Sequence, residues 1–198
     1  VINGQADASM GSSVSSIFNK TNASPRGLFF PPMPHNDEAG WKRAIAVAPH
    51  FAKAVVTNFI GSSDSNKSFE GMNYPYPIFV TMEKTSEDLS YHLTEAVMEN
   101  YDQFKDSGPG MDGYQLSNQN FSWIFPYHPG AVKFYKEKGV WTSKHDKHNA
   151  NLIKRQDVLA KAWQKTLKAN LSGDAFKKKW LENRASALKA AGMPNAYN

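Results

Sequence analysis

Pro126-Tyr127-His128-Pro129-Gly130-Ala131-Val132-Lys133-Phe134-Tyr135-Lys136-Glu137-Lys138-Gly139-Val140-Trp141 reads as a turn, a short helix and a stop. Pro129 suits the first helical position, where its missing N–H would have no partner anyway. Ala131, Val132 and Tyr135 recur at helical spacing and give one apolar face, and Gly139 is placed to follow the last turn as a C′ residue. Downstream, the spacing predicts two amphipathic helices. The first runs over about residues 147–168 with Leu152, Leu159, Trp163 and Leu167 inward. The second runs over about 174–191 with Phe176, Trp180, Ala187 and Leu188 inward, and Gly192 and Pro194 stop it. Upstream, Leu89, Leu93, Ala96, Val97 and Phe104 form another stripe, with Thr85 and Asp88 at capping-box spacing before it and Gly108-Pro109-Gly110 after it. A further helical segment is expected over about 117–124.

The first half is more mixed. Gly11-Ser12-Ser13 leads into a short helix over about 14–19, and a second helix begins near Asp37 and stops before Pro49. Residues 6–10 read as short and extended. Residues 27–33, closed by Pro31 and Pro32, read as a buried strand, and the apolar, β-branched run 52–59 reads as a strand. The strongest strand pattern is Ile78-Phe79-Val80-Thr81-Met82, after Tyr74-Pro75-Tyr76-Pro77. Strands early and helices late predict an α/β class with a helical appendage.

At 198 residues with 40% hydrophobic and 13% aromatic content, the chain can bury a real core. Its longest apolar runs fall far short of the ~20 residues that cross a bilayer, which predicts a soluble chain. With 0 cysteines, disulfides, thiol nucleophiles and cysteine-based metal centres are excluded. The net charge of +5 is concentrated in the C-terminal third, where lysines alternate with acidic residues, the pattern of solvated helix faces. Val1 in place of a methionine reads as an internal start, and no signal peptide is visible.

Five segments in order carry a resemblance: Asn3-Gly4-Gln5-Ala6-Asp7-Ala8, Pro25-Arg26-Gly27-Leu28-Phe29-Phe30, Tyr74-Pro75-Tyr76-Pro77-Ile78, Asp88-Leu89-Ser90-Tyr91-His92-Leu93-Thr94-Glu95-Ala96, and the run from Pro126 to Trp141. Together they resemble the C-terminal part of the TAXI-type solute-binding proteins of TRAP transporters, the tripartite ATP-independent periplasmic carriers. The resemblance implies part of a type II periplasmic-binding-protein-like, two-lobed α/β fold with a helical C-terminal extension. Residues 1–73 would belong to the second ligand-binding lobe, residues 74–144 to the crossover and the returning part of the first, and residues 145–198 to the extension. It implies a periplasmic receptor, made with a signal peptide in its precursor, that binds a small organic anion such as a carboxylate or amino acid. The loaded receptor would engage TRAP membrane subunits. No enzyme activity, cofactor or nucleic-acid partner is expected. The family's glycine-rich ligand loop, in its N-terminal lobe, has no counterpart in these residues.

The candidate ligand contacts are Gly11, Ser12 and Ser13, between an extended segment and a helix start where backbone N–H groups and hydroxyls suit a carboxylate. Arg26 is a possible carboxylate clamp, and Tyr74 and Tyr76 are possible aromatic walls. Each also has a plain structural reading: a serine cap, a surface ion pair and strand-edge packing. His128 raises the alternative of a hydrolase or transferase, but no partner motif such as GxSxG accompanies it, and a structural role at its turn is preferred. His145 and His148 have metal-ligand spacing without an HExxH pattern or a third ligand, so no metal is expected. A third alternative is a basic module that binds nucleic acid through the last two helices.

Overall fold

The computed structural model describes residues 3–74, 78–108 and 110–196. The N-terminal half holds helix α1 (Ser16–Asn22), helix α2 (Glu38–Val47) and an antiparallel pair, β1 (Ala52–Val56) with β2 (Phe69–Asn73). The register sets Ala52 opposite Asn73 and Val56 opposite Phe69. Asp37 starts α2, its carboxylate accepting the Gly40 N–H at 2.8 Å. The sheet is held to the preceding chain by Met33, whose N–H reaches the Glu70 carbonyl at 2.7 Å, and by Lys53, which pairs with Glu38 at 2.7 Å.

The C-terminal half is helical. Helix α3 (Glu87–Glu99) continues into the short α4 (Tyr101–Phe104), and α5 (Pro129–Glu137) packs against α3. Helices α6 (Ser143–Leu167) and α7 (Gly173–Ala190) form a hairpin. No helix among the described residues is long and apolar enough to cross a membrane.

The stretch from Pro126 to Trp141 is the centre of the main core. Phe121, Phe134, Tyr135 and Trp141 are buried together, with Tyr91, Met98, Tyr127, Ala131, Val132 and Val140 against them. Pro129 takes the first helical position. At the other end Gly139 has φ 72°, its N–H bonds to the Lys136 carbonyl, and the Val140 N–H bonds to the Tyr135 carbonyl. That pair of bonds is a Schellman motif, and the Val140 side chain supplies its apolar contact. The same motif closes α7, where Gly192 (φ 66°) bonds to Lys189 and Met193 to Leu188. Polar clasps border the α3–α5 contact. The Tyr91 hydroxyl donates to Glu137 at 2.6 Å, which pushes that phenol up to about 12, and Lys138 pairs with Glu99. Asp146 receives Lys136 at 2.9 Å and the Trp141 indole N–H at 2.9 Å, which hold its carboxyl below the usual range.

Burial in this core pushes the Tyr127 phenol up to about 12 and raises Tyr135 further, Tyr127 adding to the effect. The unfolded chain ionises these groups near pH 10 while the folded chain keeps the protons. Stability from them is therefore complete below pH ~10. Above it, stability falls by about 1.4 kcal/mol per pH unit for each group, until the folded chain ionises as well. Urea denaturation at stepped alkaline pH should show this slope, and Tyr135→Phe should remove a large share of it. An unchanged slope in Tyr135→Phe would show that other groups drive alkaline unfolding.

Several local expectations change. Ile78–Met82 joins no ladder among the described residues and lies open, Val80 and Met82 being 80% and 79% exposed. Its alternation favours a strand, but no neighbour strand pairs with it, and propensity alone does not hold an isolated strand. Residues 27–33 are extended without a ladder and touch the sheet through the Met33 N–H. Residues 6–10 form no strand either. The start of α3 is capped by Ser86, whose hydroxyl accepts the Leu89 N–H, one residue after the expected Thr85. The expected helix over 117–124 reduces to a single 3₁₀ turn, Leu116–Asn118.

Candidate functional site

Ser12 and Ser13 form a turn just before α1. The Ser15 N–H donates to the Ser12 carbonyl at 2.9 Å, and the Ser13 hydroxyl donates to the Asn58 carbonyl at 2.7 Å. The Ile60 N–H returns to the Ser13 carbonyl at 3.0 Å. The turn is thereby stitched to the segment that follows β1. Gly11 lies under the Phe18 ring, and a Cβ there would come within 3.1 Å of its edge. Helix α1 begins at Ser16 and not at residue 14, its N-cap Ser15 makes no side-chain capping bond, and the Ser13 hydroxyl bonds Asn58 instead of capping the helix.

The turn borders an aromatic cluster. Phe30 meets Phe18 edge-on at 5.6 Å and Phe59 edge-on at 5.8 Å, and it stacks on Phe69 at 5.4 Å. These contacts exploit the favourable edge-to-face and offset geometries of aromatic rings. Phe30, Phe59 and Phe69 floor a surface groove of about 240 Å³, with Leu28, Ile60 and Gly61 among its walls. Ser13 bonds Ile60, a wall residue, so the serine turn sits at the groove's margin. Arg26 lies on the exposed turn after α1, two residues before Leu28, where Gly27 (φ 68°) redirects the chain. None of Gly11, Ser12, Ser13 and Arg26 lines the groove itself: Ser13 reaches its margin through the Ile60 bond, and Arg26 precedes the lining segment by two residues.

Tyr74 does not join them. It follows β2 at the end opposite Phe69, about 16 Å along the strand at ~3.3 Å per residue. There it meets the rings of His50 (5.8 Å) and Phe51 (5.6 Å). His50 in turn faces Trp123 at 6.4 Å, whose indole N–H is buried without an acceptor among the described residues. Tyr76 lies outside the described residues.

His128 is committed at both ring nitrogens. Nδ1 accepts the Gly130 N–H at 3.3 Å, which leaves Nε2 to donate to the Thr85 carbonyl at 3.1 Å. The ring caps α5 and fastens it to the residue before the α3 cap. A general base needs a free lone pair facing a substrate, and this geometry gives it none. His145 Nδ1 accepts the Thr142 N–H at 3.0 Å and His148 Nε2 bonds the Trp123 carbonyl at 2.6 Å, so each ring has a structural task at the start of α6.

The sequence reading missed the phenylalanine floor. Its signal is present in Phe30, Phe59 and Phe69, each next to a turn or a strand end, but nothing local shows that they meet.

A model of the NMT1-like family matches residues 43–139, from within α2 to the glycine after α5. That family is a periplasmic solute-binding family related to TRAP and ABC substrate-binding proteins, and its members are substrate-binding proteins, not enzymes. No curated protein and no solved structure matches the chain. The matched segment contains Tyr74 and Tyr76, whereas Gly11, Ser12, Ser13 and Arg26 precede it.

Proposed function

We propose that this chain is the solute-recognising part of an extracytoplasmic receptor of TAXI type, serving a TRAP transporter and binding a small organic anion such as a carboxylate or an amino acid. The observation that carries the reading is the match of residues 43–139 to a solute-binding family. The groove beside the serine turn supports it. Phenylalanine rings would receive the apolar part of a solute, and the Ser12–Ser13 turn and the Arg26 guanidinium would supply donors for its carboxylate. Tyr74 and Tyr76 would act at the crossover between lobes of a type II fold. In that fold residues 1–73 belong to one lobe, 74–144 return to the other, and 145–198 extend it. Binding and closure, without covalent chemistry, would be the whole function.

The test is a thermal-shift and calorimetry panel of dicarboxylates, keto acids and amino acids on the full chain. A solute present at about 100 times its Kd stabilises the folded state by about 2.7 kcal/mol. For a chain of this size that raises Tm by roughly 5–10 °C. Replacing Arg26 with Ala should cut the shift produced by carboxylates and leave the unliganded Tm in place. A panel with no shift from any member would count against the receptor reading.

A further inference from the structure

Charge is divided unevenly along the chain. Residues 143–190 hold 12 lysines and arginines against 4 acidic residues, so this hairpin carries +8 while the chain as a whole carries +5 and the remainder −3. Within α6 the excess is ordered. Lys147, Lys154, Lys161 and the C-cap residue Lys168 recur every seven residues, two helical turns, and Lys165 lies one turn from Lys161. All five are exposed. The stripe runs about 31 Å at 1.5 Å per residue. It runs along the flank of α6, about a quarter turn around the helix from the side that buries Ala162 and Thr166 against α7.

None of the five lysines forms an ion pair among the described residues. Asp146 is taken by Lys136 and Trp141. Asp157 stands three and four residues from Lys154 and Lys161 yet pairs with neither. A solvated helix face with interspersed signs would neutralise itself through such pairs. This one keeps five like charges in line, an arrangement that a small anion would meet at one or two points and an extended polyanion would meet along its length.

We propose that the lysine stripe of α6 docks the protein on a bilayer surface rich in acidic phospholipid. The choice of lipid over nucleic acid as the polyanion rests on the extracytoplasmic reading above. The stripe's chemistry agrees with it. Ammonium groups act as point charges toward headgroup phosphates, and each lysine near an anionic surface adds about fivefold to partitioning. Arg155 is turned to the Pro194 carbonyl instead, and Trp163, Phe176 and Trp180 pack on one another in the α6–α7 joint. The docking is therefore peripheral and electrostatic, without insertion of aromatic rings.

The experiment is co-sedimentation of the full chain with vesicles of phosphatidylcholine alone and with about one third phosphatidylglycerol, at low salt and at roughly 0.5 M salt. Binding to the acidic vesicles alone, lost at high salt and with no blue shift of tryptophan emission, is the expected result. The triple variant Lys154→Gln, Lys161→Gln, Lys165→Gln should bind about a hundredfold more weakly at unchanged Tm. A control with equal charge loss elsewhere, Lys20→Gln, Lys42→Gln, Lys84→Gln, should bind much as the parent does. Equal sedimentation with both vesicle types would overturn the proposal. So would an equal loss in the control, or a preference for duplex DNA over acidic vesicles at the same salt. A solute-induced Tm shift without vesicle binding would remove this inference alone, and vesicle binding with a silent solute panel would remove the receptor reading alone.

Discussion

Gly130→Ala is expected to cost about 3 kcal/mol or more and to separate α3 from α5. A Cβ on residue 130 would lie 2.1 Å from the Glu87 carbonyl oxygen and 2.6 Å from the Tyr91 nitrogen. Both are backbone atoms of α3, so no side chain can swing aside and one helix must move. The movement would strain the hydrogen bonds from His128 to Thr85 and from Gly130 to His128, and would open the core around Phe134 and Tyr135. This glycine is required for space, since its backbone is not in the left-handed region. Gly108 offers the contrast. A Cβ there meets nothing within 4 Å and its φ is not positive, so Gly108→Ala should be nearly neutral. Urea denaturation followed by far-ultraviolet circular dichroism compares the two. A Gly130→Ala protein within about 1 kcal/mol of the parent would mean that the helices do not approach as closely as described.

That glycine also marks where sequence reading stops. Pro129 at the first helical position and Gly139 after the last are local features, so both ends of α5 were legible. So were α2, capped by Asp37, and the inward face of α7. Helix α3 instead buries Ser90 and packs Tyr91 and Met98 on the core while the expected Leu89 and Leu93 are exposed. Helix α6 buries Ala162 and Thr166 while the expected Trp163 and Leu167 are exposed. The need for glycine at 130 comes from α3, about 40 residues earlier in the chain, and no periodicity announces it. The segment after Gly110 failed for another reason. Asn118 and Gln119 turn their side-chain amides back to the carbonyls of Asp112, Gly113 and Gln115, and such bonds compete with helix continuation. At the candidate site, a serine-rich turn before a helix was visible. The Ser13 bond to Asn58 spans 45 residues and could not be seen. The rings of Phe30, Phe59 and Phe69 likewise meet from three separate segments, of which only Phe69 lies in a strand.

Phe134→Ala should be the most damaging truncation in the chain, at about 3–5 kcal/mol. Phe134 is 0% exposed, and its ring meets Tyr91 at 5.9 Å and Tyr135 at 5.6 Å, with the Lys138 ammonium 5.3 Å from its centre. Removing it loses the transfer free energy of a phenyl ring and leaves a cavity between two helices. The clasps Tyr91–Glu137 and Lys138–Glu99 hold those helices at a fixed separation, so the void cannot collapse. A fall in Tm of roughly 10 °C or more follows for a chain of this size. Phe134→Leu, which fills much of the space, should recover most of the loss. The serine turn and its groove belong to a different aromatic cluster, built from Phe18, Phe30, Phe59 and Phe69. Below its own midpoint, Phe134→Ala should therefore keep the parent's affinity for any solute that the panel identifies. Stability lost with affinity retained would show that the Pro126–Trp141 segment builds the scaffold while recognition lies elsewhere. Affinity lost in proportion to stability would place the solute against α5 and displace the groove as the binding site.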